Sequence, residues 1–220
     1  MESKRLEWDS EMMFSVIIPA HNSEQYIRKG LESIRQQSFK DYELIVVCDR
    51  CTDDTEQIAQ EYGAMIECVN FGSDGLTRDK GLSMATGQWI LFMDDDDWFL
   101  HEFCFQQLAR EVKACADDVD VLAFGYLAKG MEYYEPSEHT IFRPGDAHVW
   151  SNCWRRSATK GASFGDAVFC SDTYFIRDMH RRVRRYELFN MPIYYYNFKR
   201  PGSQTDLLIR GKIRQSPVAR

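Results

Sequence analysis

The sequence has 220 residues, of which 44% are hydrophobic and 14% aromatic, and its formal net charge is −7 at pH 7. A chain of this length and composition has enough apolar side chains for one sizeable folded domain, so disorder is not the default expectation. The acidic balance argues against general nucleic-acid binding, which requires an excess of basic side chains.

Two further features predict a cytoplasmic protein. The amino-terminal residues lack the apolar stretch of a signal peptide, and no apolar run approaches the roughly eighteen residues of a membrane span. The seven cysteines are an odd number, and most lie in apolar runs, where a thiol behaves as a small hydrophobic group. Cys48 and Cys51 have the spacing of a redox or metal-binding pair, but no second pair or nearby histidine accompanies them.

The chain opens with a strand-and-helix unit. Residues 14–19 are a short apolar run rich in β-branched side chains and ended by a proline, which predicts a buried strand of a parallel sheet. Asn22 or Ser23 is expected to cap a helix that begins at Glu24. Apolar residues recur at helical spacing through this helix and give it one buried face.

The same unit then repeats along the chain. Strands are predicted over residues 42–48, 64–69 and 88–93, and helices over residues 53–62 and 77–85. Four alternations of strand and helix with short connections predict an open α/β sheet that is wound right-handedly.

Ligands bind such sheets at the carboxyl ends of the strands. Asn22 follows the first predicted strand, Asp49 the second, and the run of residues 94–97 the fourth. We therefore expect these polar side chains to converge on one edge of the sheet.

The second half of the chain has a weaker pattern. We predict a helix from about residue 100 to 117, a strand over 119–126, a helix over 171–185 and an extended segment over 188–198. The aromatic, turn-rich stretch 130–150 is expected to form a hairpin or excursion. The last fifteen or so residues show little periodicity and are left unassigned.

Residues 94–97 are four consecutive aspartates. Adjacent carboxylates oppose each other's ionisation, and an aspartate run after a buried strand can bind a hard divalent cation through oxygen. Mg²⁺ or Mn²⁺ held there would bridge two phosphates and neutralise charge on a leaving diphosphate. The alternative is an aspartate-rich turn that only caps the next helix. No glycine-rich phosphate loop occurs in the sequence, which excludes the usual NTPase and dehydrogenase functions.

Four segments in order, residues 14–22, 43–55, 76–87 and 88–98, resemble the motifs of the inverting family 2 glycosyltransferases. The resemblance implies the GT-A fold, a Rossmann-like open mixed α/β sheet flanked by helices. It also implies one catalytic domain over residues 1–200, with a nucleotide-binding half (14–98) and an acceptor-binding half (99–200). Residues 201–220 would form a tail. Past Trp98 the likeness is thinner and rests on residues 170–175 and 192–196.

The resemblance assigns roles to residues at the sheet edge. Asp49 would accept the imide N–H of uracil, Arg78 would lie near the base or the diphosphate, and Asp97 would orient the loop or contact the sugar. Alternatively, Arg78 pairs with Asp79 or a neighbouring carboxylate on a helix surface. The register within the aspartate run is ambiguous by one position. The nucleoside would be contacted by Pro19, Ala20, His21 and Asn22, the ribose and sugar by Asp94 and Asp95, and the metal, Mn²⁺ or Mg²⁺, by Asp96.

Inverting transfer is a single displacement that needs a base for the acceptor hydroxyl. In the resembled family, an acidic residue of a Glu-Asp pair at the start of a late helix supplies this base. The pair reads Ser171-Asp172 here, so Asp172 is the predicted base and Asp166 its rival. Asp172 also suits a helix N-cap. Serine in place of the first acid is a departure from the family pattern, as are Arg50 with Cys51 and Asp79.

These features predict a metal-dependent transfer of a single sugar from a nucleotide sugar, with UDP-sugar favoured, to a hydroxyl of a saccharide or lipid-linked acceptor. The Gln-x-x-Arg-Trp motif of processive synthases is absent. A sugar nucleotidyltransferase is the enzymatic alternative, although its glycine-rich, lysine-containing signature is missing. A nucleotide-sugar-binding scaffold without activity is the non-enzymatic alternative.

The carboxyl-terminal segment is basic. Residues 176–220 hold eleven Lys and Arg against three Asp and Glu. This segment is expected to meet an anionic group such as a diphosphate or the inner membrane surface, or to be a solvated basic face. Lys199 and Arg200 would contact the donor diphosphate. The remaining candidates for the anionic group are Arg177, Arg181, Arg182, Arg184 and Arg185.

Overall fold

A computed structural model describes residues 12–128, 132–143, 148–168 and 170–198, together with Gly211. The described residues form one nine-stranded mixed sheet in the order β3-β2-β1-β4-β8-β6-β9-β5, with β7 paired to β6. The strands are Phe14–Ala20 (β1), Tyr42–Asp49 (β2), Met65–Val69 (β3), Trp89–Phe92 (β4), Trp98–Phe99 (β5), Val119–Ala128 (β6), Glu132–Tyr134 (β7), Asn152–Arg155 (β8) and Arg185–Tyr196 (β9).

Helices flank this sheet. They are Ile27–Arg35 (α1), Thr55–Glu61 (α2), Asp74–Met84 (α3), Cys104–Ala114 (α4), Glu138–Phe142 (α5), Arg156–Thr159 (α6) and Asp172–His180 (α7), with a 3₁₀ turn at Val149–Ser151. None of the helices in the described ranges is long and apolar enough to cross a membrane.

The first half of the sheet is parallel, as the sequence predicts. β1 lies between β2 and β4 and runs parallel to both, and β3 extends the sheet beyond β2. Every residue of β1 and β4 is buried, and apart from Ser15 every residue of these strands is apolar. Since parallel strands end at the same edge, the segments after β1, β2 and β4 are brought together.

The second half of the sheet is mixed. β8 is antiparallel to β4 and to β6, and β9 runs parallel to β6 while pairing antiparallel with β5. The register of β9 shifts opposite Phe124 and Gly125, close to Pro192, which has no amide hydrogen for the ladder. β9 therefore carries its last residues back to the segment that follows β4.

Two helix starts differ from the prediction. α1 begins at Ile27, one turn after the predicted start, because Asn22 has a left-handed backbone (φ 47°) and its side chain accepts a hydrogen bond from the Thr52 amide instead of capping the helix. α3 begins at Asp74, earlier than predicted, because the Ser73 side chain accepts a hydrogen bond from the Leu76 amide. Both differences come from side-chain hydrogen bonds at the loops.

Glu43 connects three segments at the opposite end of the sheet. Its Oε1 accepts hydrogen bonds from Ser15 Oγ (2.5 Å), Thr86 N (2.6 Å), Thr86 Oγ1 (3.0 Å) and Gly87 N (3.1 Å). Burial raises the pKa of Glu43, but these hydrogen bonds outweigh it and leave the pKa below its ordinary value. The stabilisation is therefore present above the unfolded pKa and is lost as the pH falls through the lower folded value.

We expect Glu43→Ala to lower the free energy of unfolding by about 2 kcal/mol, because it leaves the donors around this carboxylate without their acceptor. Urea denaturation at neutral pH measures the change. Glu61→Ala is the matched control, since Glu61 makes an exposed ion pair with Arg28 at 2.9 Å and should cost less than about 1 kcal/mol. Equal losses in the two variants would contradict the role of Glu43.

Candidate active site

The predicted convergence of polar side chains at one edge of the sheet is confirmed. The His21 amide donates to Asp95 Oδ2 (3.3 Å), so the ends of β1 and β4 meet. The His21 ring nitrogen Nδ1 lies 2.6 Å from the Asp49 carbonyl oxygen, and Asn22 Oδ1 accepts from the Thr52 amide at 2.8 Å, so the end of β2 joins them. His21 and Asn22 are both exposed, which leaves their side chains accessible to a ligand.

Pro19 and Ala20 lie differently from these two neighbours. Both are buried within β1, and the Ala20 carbonyl accepts a weak hydrogen bond from Cys51 Sγ at 3.5 Å. Their side chains therefore offer little surface to a nucleoside. The predicted nucleoside contact depends mainly on His21 and Asn22.

The carboxylate of Asp49 anchors the loop before α3. Its Oδ1 accepts from the amides of Phe71 (2.8 Å) and Gly72 (3.0 Å), and its Oδ2 accepts from the Ser73 amide (3.1 Å) and from Thr77 Oγ1 (3.2 Å). A uracil imide would have to share an oxygen that already accepts two hydrogen bonds. The structure thus gives Asp49 an architectural role that the sequence did not indicate.

Arg78 is buried, with 6% of its surface exposed, and lies at the centre of an ionic network. It forms ion pairs with Asp74 and, through Nη2 at 2.7 Å, with Asp94. Its Nη1 also donates to Ser171 Oγ (3.2 Å), and that hydroxyl donates to Asp74 Oδ2 (2.6 Å). The network joins α3, the end of β4 and the start of α7.

Of the two partners in the alternative for Arg78, Asp79 is wrong, whereas a neighbouring carboxylate, that of Asp74 on the same helix, does pair with it. Asp79 instead accepts hydrogen bonds from Ser163 Oγ (2.6 Å) and the Phe164 amide (2.9 Å). This aspartate, which replaces the asparagine of the resembled family, therefore fixes the loop between α6 and α7.

Electrostatic interactions connect the aspartate run with the start of α7. Burial lowers the pKa of Arg78, but Asp74, Asp94 and Asp172 outweigh it and raise that pKa. Burial, followed by the repulsion of Asp172 and Asp96, raises the pKa of Asp94 to about 7, although Arg78 opposes the shift. Asp172 is therefore close enough to act on both members of the Arg78–Asp94 pair.

Asp97 is fully buried and organises the loop after β4. It accepts a hydrogen bond from Tyr194 Oη (2.7 Å) and another from the Asn197 amide (2.8 Å). Tyr194 Oη also accepts from the Asp94 amide at 3.1 Å, so one side chain of β9 holds both ends of the aspartate run. Burial raises the pKa of Asp97 and of Tyr194. In the sequence, Tyr194 is marked only by the family resemblance of residues 192–196.

Arg78 thus pairs with Asp94, and Tyr194 and the Asn197 amide hold Asp97. Asp95 and Asp96 are half-buried. In the part of the chain that the structure describes, no group of three or more His, Cys, Asp or Glu side chains could hold a metal ion by itself. Half-buried carboxylate oxygens do fit a hard divalent cation that takes its remaining ligands from substrate phosphates and water.

Asp172 is the first residue of α7. Its Oδ2 accepts a hydrogen bond from the Val149 amide (3.2 Å), and its side chain is half-buried. The N-cap position belongs to Ser171, so the alternative of Asp172 as N-cap is wrong. Asp166, the rival base, is exposed in the loop between α6 and α7.

Cys48 and Cys51 flank the same edge of the sheet. A hydrogen bond between the two thiols lowers the pKa of Cys51 to about 7 and raises that of Cys48. All seven cysteines are free thiols.

The basic carboxyl-terminal segment divides into groups with different contacts. Arg184 pairs with Asp120 (2.7 Å), and Arg185 pairs with Glu187 (3.1 Å). Arg182 donates to the carbonyls of Lys160 and Gly161. Lys199 and Arg200, predicted to contact the donor diphosphate, lie outside the described residues, as does the predicted tail apart from Gly211.

A mixed α/β sheet flanked by helices, with a carboxylate run at the end of its fourth strand, defines a GT-A glycosyltransferase fold. The sequence profile of glycosyl transferase family 2 matches residues 15–197. The chain belongs to this family. EpsH of Bacillus subtilis is 29% identical over 209 residues, which cover 83% of this chain and 60% of EpsH.

Two solved structures are similar to the chain. The complex of Staphylococcus aureus TarS 1–349 with UDP-GlcNAc has a TM-score of 0.74 at 24% identity, covering 89% of this chain and 61% of that one. Glucosyl-3-phosphoglycerate synthase of Mycobacterium tuberculosis, in complex with Mn²⁺, UDP and glucosyl-3-phosphoglycerate, has a TM-score of 0.62 at 19% identity and covers 97% and 88%. At these identities the likeness establishes the fold. The chain spans less than two thirds of the length of EpsH and of the TarS fragment.

Proposed function

We propose that this protein is a metal-dependent, inverting glycosyltransferase that moves a single sugar from a nucleotide sugar to an acceptor hydroxyl. The observation that carries the proposal is the sheet edge at which the half-buried Asp95, next to Asp96 in the chain, accepts a hydrogen bond from the amide of the exposed His21. This edge offers carboxylates for a cation and polar side chains for a nucleoside at the carboxyl end of a parallel sheet, where ligands of such sheets bind.

The donor we favour is a UDP-sugar. UDP-GlcNAc is bound by TarS and UDP by the mycobacterial synthase, and both share this fold. In this chain His21 and Asn22 would contact the nucleoside, with backbone contributions from Pro19 and Ala20, and Asp49 would accept the base imide. Asp94, held by Arg78, would face the ribose, and Asp95 the sugar.

Asp96 would hold the cation, Mn²⁺ or Mg²⁺, together with the donor. When bound, the cation would neutralise the charge that develops on the departing diphosphate. Mn²⁺ accompanies UDP in the mycobacterial synthase. The contribution of the chain itself is to hold the aspartate run in place, through Tyr194 at Asp94 and Asp97.

Asp172 would be the catalytic base. It would accept the proton of the acceptor hydroxyl as that oxygen attacks the anomeric carbon and the nucleoside diphosphate leaves, which inverts the configuration in one displacement. The Val149 amide fixes one oxygen of this carboxylate. The acceptor is proposed to be a saccharide or a lipid-linked saccharide, with membrane contact through the basic segment. TarS of Staphylococcus aureus is named a poly(ribitol-phosphate) β-N-acetylglucosaminyltransferase.

Three measurements on the same protein separate this proposal from its two alternatives. The protein is incubated with UDP-sugars and Mn²⁺, and UDP release is followed with and without EDTA. Metal-dependent UDP release supports a transferase. Diphosphate release from a nucleoside triphosphate and a sugar phosphate would indicate a nucleotidyltransferase, and UDP binding without turnover on any acceptor would indicate a scaffold.

Asp96→Asn tests the metal site directly. We expect it to raise the Mn²⁺ concentration for half-maximal UDP release by about tenfold or more, because an amide oxygen carries no charge for the cation. Titration of Mn²⁺ at saturating UDP-sugar gives this value. Glu102→Asn, which alters a carboxylate near the start of α4, is the control. An unchanged Mn²⁺ requirement in Asp96→Asn would assign the ligand to another aspartate of the run.

A further inference from the structure

A second candidate site lies between α5 and the carboxyl-terminal end of α7, in a pocket of about 420 Å³. The wall from α7 consists of Arg177, His180 and Arg181. Residues three and four positions apart share one face of a helix, so these three side chains point to the same side of α7. Asp172 is at the other end of this helix, about 12 Å away along the axis at 1.5 Å per residue.

The opposite wall of the pocket comes from α5. It includes His139, Phe142 and Arg143, and the Phe142 ring packs against the His180 ring with centroids 5.0 Å apart. α5 is short, but a reciprocal capping box between Ser137 and Thr140 fixes its first turn. Both walls are therefore built from defined secondary structure.

The lining has a clear excess of positive charge. Among the described residues that line the pocket, three carry guanidinium groups, Arg143, Arg177 and Arg181, and one, Glu138, carries a carboxylate. Guanidinium forks match the geometry of phosphate oxygens, and the pocket is large enough for a phosphate with an attached group.

Cations in the last turn of a helix also stabilise its dipole, and Arg177 and His180 hold such positions. That role accounts for the α7 side of the pocket. It does not account for His139 and Arg143, which come from a different element and face the same space. Convergence of basic side chains from two helices on one cavity is the pattern of an anion site.

We propose that the pocket between α5 and α7 binds a phosphate or diphosphate group of the acceptor substrate. The assignment of that group to the acceptor rests on the proposed glycosyltransferase function, whereas the binding of the anion does not. With the anion held at the end of α7, the rest of the acceptor would extend along the helix toward Asp172. The pocket would thus select acceptors that carry phosphate.

Isothermal titration with inorganic diphosphate tests the site. The buffer is free of metal and contains EDTA, because the acidic donor site then repels the anion. We expect Arg177→Gln/Arg181→Gln to weaken diphosphate binding by about tenfold or more, since each charge-assisted hydrogen bond contributes substantially. The double variant Arg110→Gln/Lys113→Gln on α4 removes the same charge from exposed positions and should bind as the wild type does.

Arg143→Gln provides a second variant that leaves α7 untouched, and circular dichroism verifies the fold of each protein. Absence of diphosphate binding by the wild type, or equal binding by the pocket and control variants, would overturn the proposal. UDP-sugar hydrolysis is measured in parallel and should persist in the pocket variants. A wild type that binds diphosphate but never releases UDP would contradict the proposed function while leaving the anion site intact.

Co-sedimentation with vesicles distinguishes the two sources of the phosphate group. Binding to phosphatidylglycerol vesicles over phosphatidylcholine vesicles that is lost in Arg177→Gln/Arg181→Gln supports a lipid-linked phosphate. Equal sedimentation of the pocket variant and the wild type, together with weakened diphosphate binding, supports a phosphate on a water-soluble acceptor.

Discussion

Asp172→Asn is expected to lower the rate of UDP-sugar turnover by about 10²–10⁴-fold, the usual contribution of a general base. An amide has no lone pair basic enough to accept the acceptor proton. The substitution retains size and an oxygen for the hydrogen bond from the Val149 amide, so the start of α7 should keep its structure. Initial rates of UDP release with Mn²⁺ give the effect.

The KM for the donor and the affinity for UDP should change little, because Asp172 is not proposed to contact the nucleotide or the metal. Loss of UDP affinity parallel to the loss of rate would place Asp172 in the donor site instead. Asp166→Asn is the matched control, since Asp166 is the rival carboxylate and is exposed in the preceding loop. The opposite result, a large loss in Asp166→Asn and none in Asp172→Asn, would move the base to Asp166.

The parallel half of the fold could be predicted from the sequence because its signals are local. Fully buried strands such as β1 and β4 are nearly continuous apolar runs, and the turns that follow them are polar. The two-residue strand β5 has no such signal. It exists because Trp98 and Phe99 pair with Tyr195 and Tyr194, nearly a hundred positions away in the chain.

The candidate site was predictable to a similar extent. The location of the aspartate run at the ligand-binding edge of the sheet follows from its place directly after a predicted strand. The different surroundings of its four members do not. Asp97 is buried by Tyr194 of β9, and Asp94 is paired by Arg78 of α3. Both partners are distant in sequence, so residue order alone cannot distinguish four identical side chains.

Ser171 illustrates the same limit. In sequence it is a departure from the family pattern, a hydroxyl where an acid is expected. In the structure its hydroxyl donates to Asp74, which lies one helical turn before Arg78 on α3 and forms an ion pair with it. The carboxylate of Asp74 is thus present beside Ser171 from another element.

The buried arginine at the centre of this network is also the strongest candidate for a stability defect. Arg78→Met is expected to lower the free energy of unfolding by about 3–5 kcal/mol, because it leaves the carboxylates of Asp74 and Asp94 without their cation in a site shielded from solvent. Methionine retains the apolar stem of arginine as far as the position of Nε, so the loss would come mainly from the missing guanidinium charge and its hydrogen bonds. Urea denaturation without metal measures it.

Two further variants test whether the loss of stability in Arg78→Met comes from charge: one is a control and one should restore stability. Arg28→Met removes an exposed partner of Glu61, whose ion pair should contribute less than about 1 kcal/mol. Adding Asp74→Asn to Arg78→Met should recover about 1 kcal/mol or more, since one of the uncompensated charges is then removed while Ser171 keeps an oxygen to donate to. If Arg78→Met cost no more than Arg28→Met, the network would not hold α3, β4 and α7 together. A loss that Asp74→Asn does not relieve would instead assign the defect to packing around residue 78, because only a charge imbalance is corrected by removing a second charge.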